Sequence, residues 1–224
     1  MKRFVLFLIV LCAIVSCDRN REDGFAFGID VSQYNGKINW SEVKNQTKTK
    51  DPIEFVVIRS TVGVDKDTRY AQNYKEAKAN GFIVGSYHYY RPNENSVKQF
   101  ENFKKVVCLE KGDILPVVDI EAASSVQSME ALKKGLRNFV SLCENEYGVK
   151  PIIYTKLSMW NNYLQKDFSD CKLWIAAYSN HRRGDNTVKN ADIHQFTKEI
   201  RAIPGIPSKF VDGDDVRDIN LILY

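Results

Sequence analysis

The stretch Leu115-Pro116-Val117-Val118-Asp119-Ile120-Glu121 decides how the chain is read. A short apolar run rich in Val marks a buried strand. It ends in two carboxylates. Side chains alternate along a strand, so Asp119 and Glu121 share one face, about 6.6 Å apart along the backbone, with Val117 behind them. Val118 and Ile120 take the other face, where a helix can cover them. Like charges at this spacing push one pKa upward, which suits a proton donor working near neutral pH. The same pair can also cap a turn or hold surface lysines, and the stretch alone leaves both readings open.

Similar runs recur on either side. Strands are predicted at 25–31, 53–60, 82–90, 151–155, 173–178, 192–197 and 217–223. Helices are predicted at 67–80, 95–110 and 128–147, with shorter ones from Asn39 and around 159–164. Residues 179–190 are polar and leave no room for a covering helix. Residues 198–215 carry two prolines and two glycines and read as loop or hairpin. Eight strands, the first five alternating with helices, predict an α/β fold: a modified TIM-like barrel with helices mainly after the first five strands.

Most of these strands end in a polar or aromatic residue: Asp30, Arg59, His88, Asp119 with Glu121, Tyr154, Tyr178, Gln195 and Asp218. In a parallel barrel such ends converge on one face. Four carboxylates would then share one bowl rimmed by aromatic rings, a surface suited to sugars, which have apolar faces and polar edges. Parity with Ser86 and Tyr90 places His88 on the carboxylate face, and parity with Ala176 and Tyr178 places Trp174 inside the barrel. Arg59 reads first as an ion-pair partner of one of the aspartates, and Trp40 reads as core.

The 224 residues suffice for one domain with a full core. The net charge of +4 is small and scattered, so a nucleic-acid partner is not expected. No metal-type Cys/His cluster appears, and neither cofactor nor metal is expected. The N-terminus reads as an export signal. Lys2 and Arg3 precede an apolar run from Phe4 to Val15, too short to span a bilayer. Ile14-Val15-Ser16-Cys17 resembles a bacterial lipobox, which implies cleavage before Cys17 and lipidation of its thiol. The expected organisation is a signal peptide at 1–16, a tether at 17–24 and a catalytic domain at 25–224. The mature chain would be held at the cell envelope by its lipidated N-terminus, as a monomer. Removing residues 1–16 takes Lys2 and Arg3 away and lowers the net charge from +4 to +2. Three other cysteines remain, Cys108, Cys143 and Cys171. Cys108 and Cys143 fall in helical patterns and read as buried free thiols.

Several motifs, in order, resemble glycoside hydrolase family 25, the Chalaropsis-type lysozymes. They are Gly28-Ile29-Asp30-Val31-Ser32, Tyr87-His88-Tyr89, Val118-Asp119-Ile120-Glu121, Pro151-Ile152-Ile153-Tyr154-Thr155, Leu173-Trp174-Ile175-Ala176-Ala177-Tyr178 and Asp218-Ile219-Asn220. The resemblance runs from about Phe27 to the C-terminus. It implies a modified eight-stranded barrel that hydrolyses the β-1,4 bond between N-acetylmuramic acid and N-acetylglucosamine in peptidoglycan. By motif, Glu121 matches the general acid and Asp119 its carboxylate neighbour, while Asp30 and Asp218 match the aspartates of the first and last strands. Tyr87, His88, Tyr154, Trp174, Tyr178, Gln195 and Arg59 are the expected substrate contacts. Glu121, nearest the mouth, is expected to hold the proton, and Asp119, one pleat deeper, to stay ionised. Either an enzyme nucleophile or the substrate's acetamido group fits the pattern. The chain departs from the family at Val62, where a Glu is usual, and at His194, where a Trp is usual.

Two further readings stand beside this one. A lipoprotein could bind peptidoglycan on the same barrel without cutting it, although four intact carboxylates speak against that. A metal-dependent hydrolase could use Asp30, His88 and Asp119 as ligands, a thin set in a chain with three histidines.

Overall fold

The structure is a computed structural model that describes residues 24–45, 52–123, 126–178 and 186–224. The predicted leader, Cys17 and the tether as far as residue 23 lie outside the described residues, as does His181. The strands are β1 (Ala26–Val31), β2 (Ile53–Val62), β3 (Asp65–Lys66), β4 (Ile83–Tyr89), β5 (Val117–Asp119), β6 (Ile152–Lys156), β7 (Leu173–Ala176), β8 (Ile193–Arg201) and β9 (Phe210–Val216). Hydrogen bonding runs β1-β9-β8-β7-β6-β5-β4-β2, and β1 pairs with β2, so eight strands close a ring. β3 pairs only with the end of β2, as a short antiparallel arm. Closure leaves the eight ring strands no open edge.

Helices cover the early strands, as expected. They are α1 (Trp40–Asn45), α2 (Tyr70–Ala79), α3 (Ser96–Val106) and α4 (Met129–Tyr147). Their ends follow local chemistry. Asn95 and Ser128 accept from the backbone N–H groups of Lys98 and Ala131, and Gly148 ends α4 in the left-handed conformation. After β6 a helical stretch at 157–168 contains a π-turn, Trp160–Leu164. Among the described residues a single 3-10 turn, Asn186–Val188, lies between β7 and β8.

Both faces of the barrel strands are buried, which explains their continuous apolar runs. Val118 and Ile120 pack outward under the helices, with Phe139 and Leu136 of α4 in the same cluster. Val117 packs inward with Phe55, Val57, Ile152, Trp174 and Val216. The predicted parity of the opening stretch therefore holds. Trp40 is 1% exposed and sits in the outer core. Inside the ring Gly28 makes room for Phe55: an added Cβ would fall 2.4 Å from the ring. That ring is enclosed by the barrel and has nowhere to go. Gly28→Ala is expected to cost about 1–3 kcal/mol through overpacking, read as a lowered midpoint in urea unfolding.

Three expectations are corrected here. Residues 217–223 are not a strand: Ile219–Ile222 is a 3-10 turn capped by Asp218. The last strand is β9, within the region read as loop or hairpin, and it runs antiparallel to both β1 and β8. Its acidic Asp-Gly-Asp-Asp run looks like a turn in sequence but is held as strand by two partners. Cys108 lies just past α3 and is exposed, whereas Cys143 is buried; both thiols and that of Cys171 are free. Finally, α2 starts at Tyr70, and Asp67 caps the approach to it, accepting from the N–H of Arg69 at 2.9 Å.

Candidate active site

At the C-terminal ends of the parallel strands the ring opens into a cavity of about 210 Å³. Its walls are Asp30 of β1, Arg59 of β2, Tyr87 and Tyr89 of β4, Asp119 and Glu121 at the end of β5, Tyr154 of β6, Trp174 of β7, Tyr178 just beyond it, Gln195 and Lys198 of β8, and Asp212 of β9. Nine of the predicted site residues meet here.

Asp218 does not. In the β1–β9 pair, Asp30 faces Asp212 and Ala26 faces Val216. An antiparallel strand leaves the barrel at the opposite end from its parallel neighbours. Asp218 therefore lies past the bottom of the barrel, exposed, capping the terminal turn. Asp212 and Asp214 of β9 occupy the place expected of it. The signal for them was present: Asp212, Asp214 and Val216 alternate with period two, as inward residues of a strand must.

His88 is also absent from the cavity. Ser86, His88 and Tyr90 share a face, as predicted, but it is the outer one. His88 is fully buried, stacked on Phe139 with centroids 4.9 Å apart. Its Nε2 lies 3.1 Å from Gln99 Oε1 and its Nδ1 2.7 Å from Thr61 Oγ1. The amide oxygen can only accept, so Nε2 carries the hydrogen and Thr61 donates to Nδ1. Burial pulls the imidazole down to about 4, and it is neutral. A register shift between Arg59 and Thr61 turns Thr61 outward to meet it. Asp30, His88 and Asp119 consequently do not form a common ligand set, and among the described residues no group of three His, Cys, Asp or Glu is placed to hold a metal.

The carboxylates sit at graded depth. Asp30 and Asp119 are 8% and 5% exposed, and Asp214 is fully buried behind them. The Glu121 side chain is 26% exposed and lies 3.5 Å from Lys156 Nζ, at the mouth. Burial pushes Asp119 well above the usual carboxylate range, and the charges of Glu121 and Asp30 add to the shift. The expectation that Asp119 stays the ionised partner runs against this burial. Its Oδ1 has no hydrogen-bond partner among the described residues. Burial also raises Asp30, with Asp212 adding to it, and raises Asp214, with Asp30 adding to it. Trp174 Nε1 donates to Asp214 Oδ1 at 2.9 Å, while Oδ2 finds no donor. Burial and the neighbouring Asp30 charge both favour the protonated form of Asp214.

Gln195 ties the wall together. Its amide nitrogen donates to Asp30 Oδ2 at 2.7 Å. Its Oε1 accepts from the hydroxyls of Tyr154 and Tyr178, at 2.9 and 3.0 Å. Arg59 pairs with Asp67 rather than with a strand-end aspartate: Nε lies 2.9 Å from Asp67 Oδ2. Tyr89, Lys198, Asp212 and Asp214 are the residues that sequence reasoning missed. Tyr89 was signalled by its two-residue spacing from Tyr87.

Asp212 is pushed up to about 6, by burial first and then by Glu121. The folded state thus holds this proton more tightly than the unfolded chain does. The stabilisation from binding it is complete below about pH 4 and lost as the pH rises through about 6. His88 works in the opposite sense, since its lowered pKa favours the fold at higher pH. Comparison with a variant isolates the carboxylate: Asp212→Asn is expected to melt higher than the parent at pH 7, with the gap closing by pH 4, in calorimetric scans across that range.

Residues 29–206 match the family model described as glycosyl hydrolases family 25. The uncharacterized protein YegX of Escherichia coli (strain K12) is 30% identical over 160 residues, 71% of this chain and 58% of that protein. An autolytic lysozyme of Clostridium acetobutylicum is 28% identical over 152 residues, 67% of this chain and 44% of that one. The chain thus spans roughly half the length of these curated relatives. Among solved structures, a bacterial lysozyme from Streptomyces coelicolor superimposes with a TM-score of 0.75 at 25% identity, covering 88% of this chain and 94% of that one. A family 25 glycosyl hydrolase from Bacillus anthracis gives 0.73 at 23% identity, covering 85% and 88%, and shares the barrel fold.

Proposed function

Because this chain belongs to glycosyl hydrolase family 25, we propose that it is a lysozyme-type glycoside hydrolase that cuts the β-1,4 bond between N-acetylmuramic acid and N-acetylglucosamine in peptidoglycan. One observation carries the reading: Asp30, Asp119, Glu121 and Asp212 line a single open cavity walled by Tyr87, Tyr89, Tyr154, Trp174 and Tyr178. Carboxylates aligned with aromatic faces suit a saccharide whose leaving oxygen must be protonated while positive charge grows on the ring.

Glu121 is the proposed general acid. It lies at the mouth, where a glycosidic oxygen can reach it, and Lys156 beside it helps hold its carboxyl in place. Asp119 is the proposed stabilising carboxylate. Its unpartnered Oδ1 supports a role as acceptor for the N–H of the acetamido group of the bound muramoyl sugar. That contact favours the substrate-assisted route. The acetamido oxygen attacks C1 as Glu121 protonates the leaving oxygen, and water then opens the oxazolinium ring while the Glu121 carboxylate takes its proton. Asp30 and Asp212 form the negative wall, with Gln195 fixing Asp30.

The test is digestion of purified peptidoglycan with and without a chelator, with products analysed by mass spectrometry. Fragments ending in reducing N-acetylmuramic acid, unaffected by chelator, are expected. Co-sedimentation without release would replace this reading with the binding one, and chelator-sensitive release would replace it with metal-dependent chemistry. The anchor is proposed separately, on sequence alone: export, cleavage before Cys17 and lipidation of its thiol, which would hold the barrel at the envelope surface. Palmitate labelling that survives Cys17→Ser would overturn it.

A further inference from the structure

A second groove, about 380 Å³, opens beside the carboxylate cavity and shares Arg59 and Tyr89 with it. Tyr34, Val62, Lys66 and Arg91 complete much of its lining. It runs off the β1–β2–β4 side of the basin, past the β2–β3 arm. The two spaces differ in charge. The basin is walled by four carboxylates, whereas the groove has three cations and one lining carboxylate, Asp65.

Each part of the groove has an observable reason to receive an anion. Arg59 spends its Nε on Asp67, and its other N–H groups make no hydrogen bond among the described residues. Lys66 is exposed and has no ion-pair partner among the described residues. Arg91 lies 3.2 Å from Asp65 and 3.0 Å from Glu94, yet stays 44% exposed, so it can bind a further acceptor. Tyr34 is 78% exposed, its ring 4.7 Å from the Arg59 guanidinium carbon, and so presents a bare aromatic face at the rim. Position 62 adds no further carboxylate: the resemblance led to a Glu there, and this chain has Val, which leaves Asp65 as the groove's one lining acid.

We propose that this groove binds the carboxylates of the peptide that peptidoglycan carries on the lactyl group of its muramoyl sugars, so that peptide-bearing strands are better ligands and substrates than stripped ones. The proposal rests on the glycan-cleaving reading above. It assigns the carboxylate cavity to the sugars and the cationic groove to their acidic side chain, two neighbouring surfaces of opposite charge for two parts of one polymer. Arg59 stands at the junction and touches both spaces.

The experiment uses two probes, the N-acetylglucosaminyl–N-acetylmuramic acid disaccharide with its tetrapeptide and the same disaccharide after amidase treatment. Titration calorimetry with the parent chain is expected to give about five- to tenfold tighter binding of the peptide-bearing probe, with the difference shrinking as salt is added. Lys66→Glu and Val62→Glu are each expected to remove most of that difference and leave binding of the stripped disaccharide unchanged. Turnover should follow the same pattern, as a KM effect on intact peptidoglycan that is absent on stripped glycan. Equal binding of the two probes by the parent, or equal weakening of both probes by both variants, would overturn the proposal. Loss of cleavage on every substrate with the binding difference intact would overturn the catalytic reading alone.

Discussion

Glu121→Gln is expected to lower the rate of peptidoglycan cleavage by about 10²–10⁴-fold, the contribution usual for a general acid. The substitution keeps the shape of the side chain and removes its proton. The residue is partly exposed at the end of β5, and Lys156 is its ion-pair partner in the structure. Folding should therefore be little affected, and the loss should fall on kcat, with KM near the parent value. Reducing-end release measured over a range of substrate concentrations separates the two. A variant that cuts at the parent rate would move the acid to another carboxylate, Asp119 first, because burial already favours its protonated form. A variant that fails to bind as well would point to folding damage, which its melting profile would reveal.

Asp67→Ala is expected to destabilise the fold by about 3–5 kcal/mol, the effect of stripping one partner from a buried ion pair. The Asp67 side chain is fully enclosed and that of Arg59 is 10% exposed. The carboxylate does three jobs: it receives Arg59 Nε, the N–H of Gln33 and the N–H of Arg69, each at 2.9 Å. Removing it leaves a guanidinium charge facing the basin and frees the turn that presents Tyr34. For a chain of this size the corresponding fall in Tm is about 10 °C, measurable by calorimetry. Asp67→Asn should recover part of the loss, since an amide oxygen can still accept while the charge is gone. Equal loss in both variants would mean that the ionic part of the contact matters more than its hydrogen bonds.

The legible part of the fold was the part where one strand face differs in chemistry from the other. In the opening stretch, Asp119 and Glu121 alternate with Val118 and Ile120, so parity alone assigned the faces. At Ser86, Tyr87, His88, Tyr89 and Tyr90 both faces carry polar or aromatic groups, the outer face buried and the inner one half-buried. Parity there gives two sets and no direction, and His88 went to the wrong side. Thr61 held the missing clue, but only a register shift brings it to the imidazole, and a shift of that kind leaves no mark on local composition. The acidic run at 212–215 was misread for a related reason. Glycine between aspartates favours a turn in isolation, and only the two neighbouring strands make it extended. With that strand missed, the Asp-Ile-Asn motif drew the fourth carboxylate to residue 218, at the far end of the barrel.

β9 is wedged between the first strand of the ring and the one made just before it. A growing chain that has not yet released residues 210–216 carries two raw borders, on β1 and β8, whose amides have nothing to grip and which invite pairing with other molecules. Native assembly must then wait until residues 210–216 have been made, and joining strands some 180 residues apart in sequence is slow. Machinery that threads polypeptides in extended form would meet this one before it has locked, and a nonsense codon just upstream of Phe210 would yield an aggregating product rather than a weakened one.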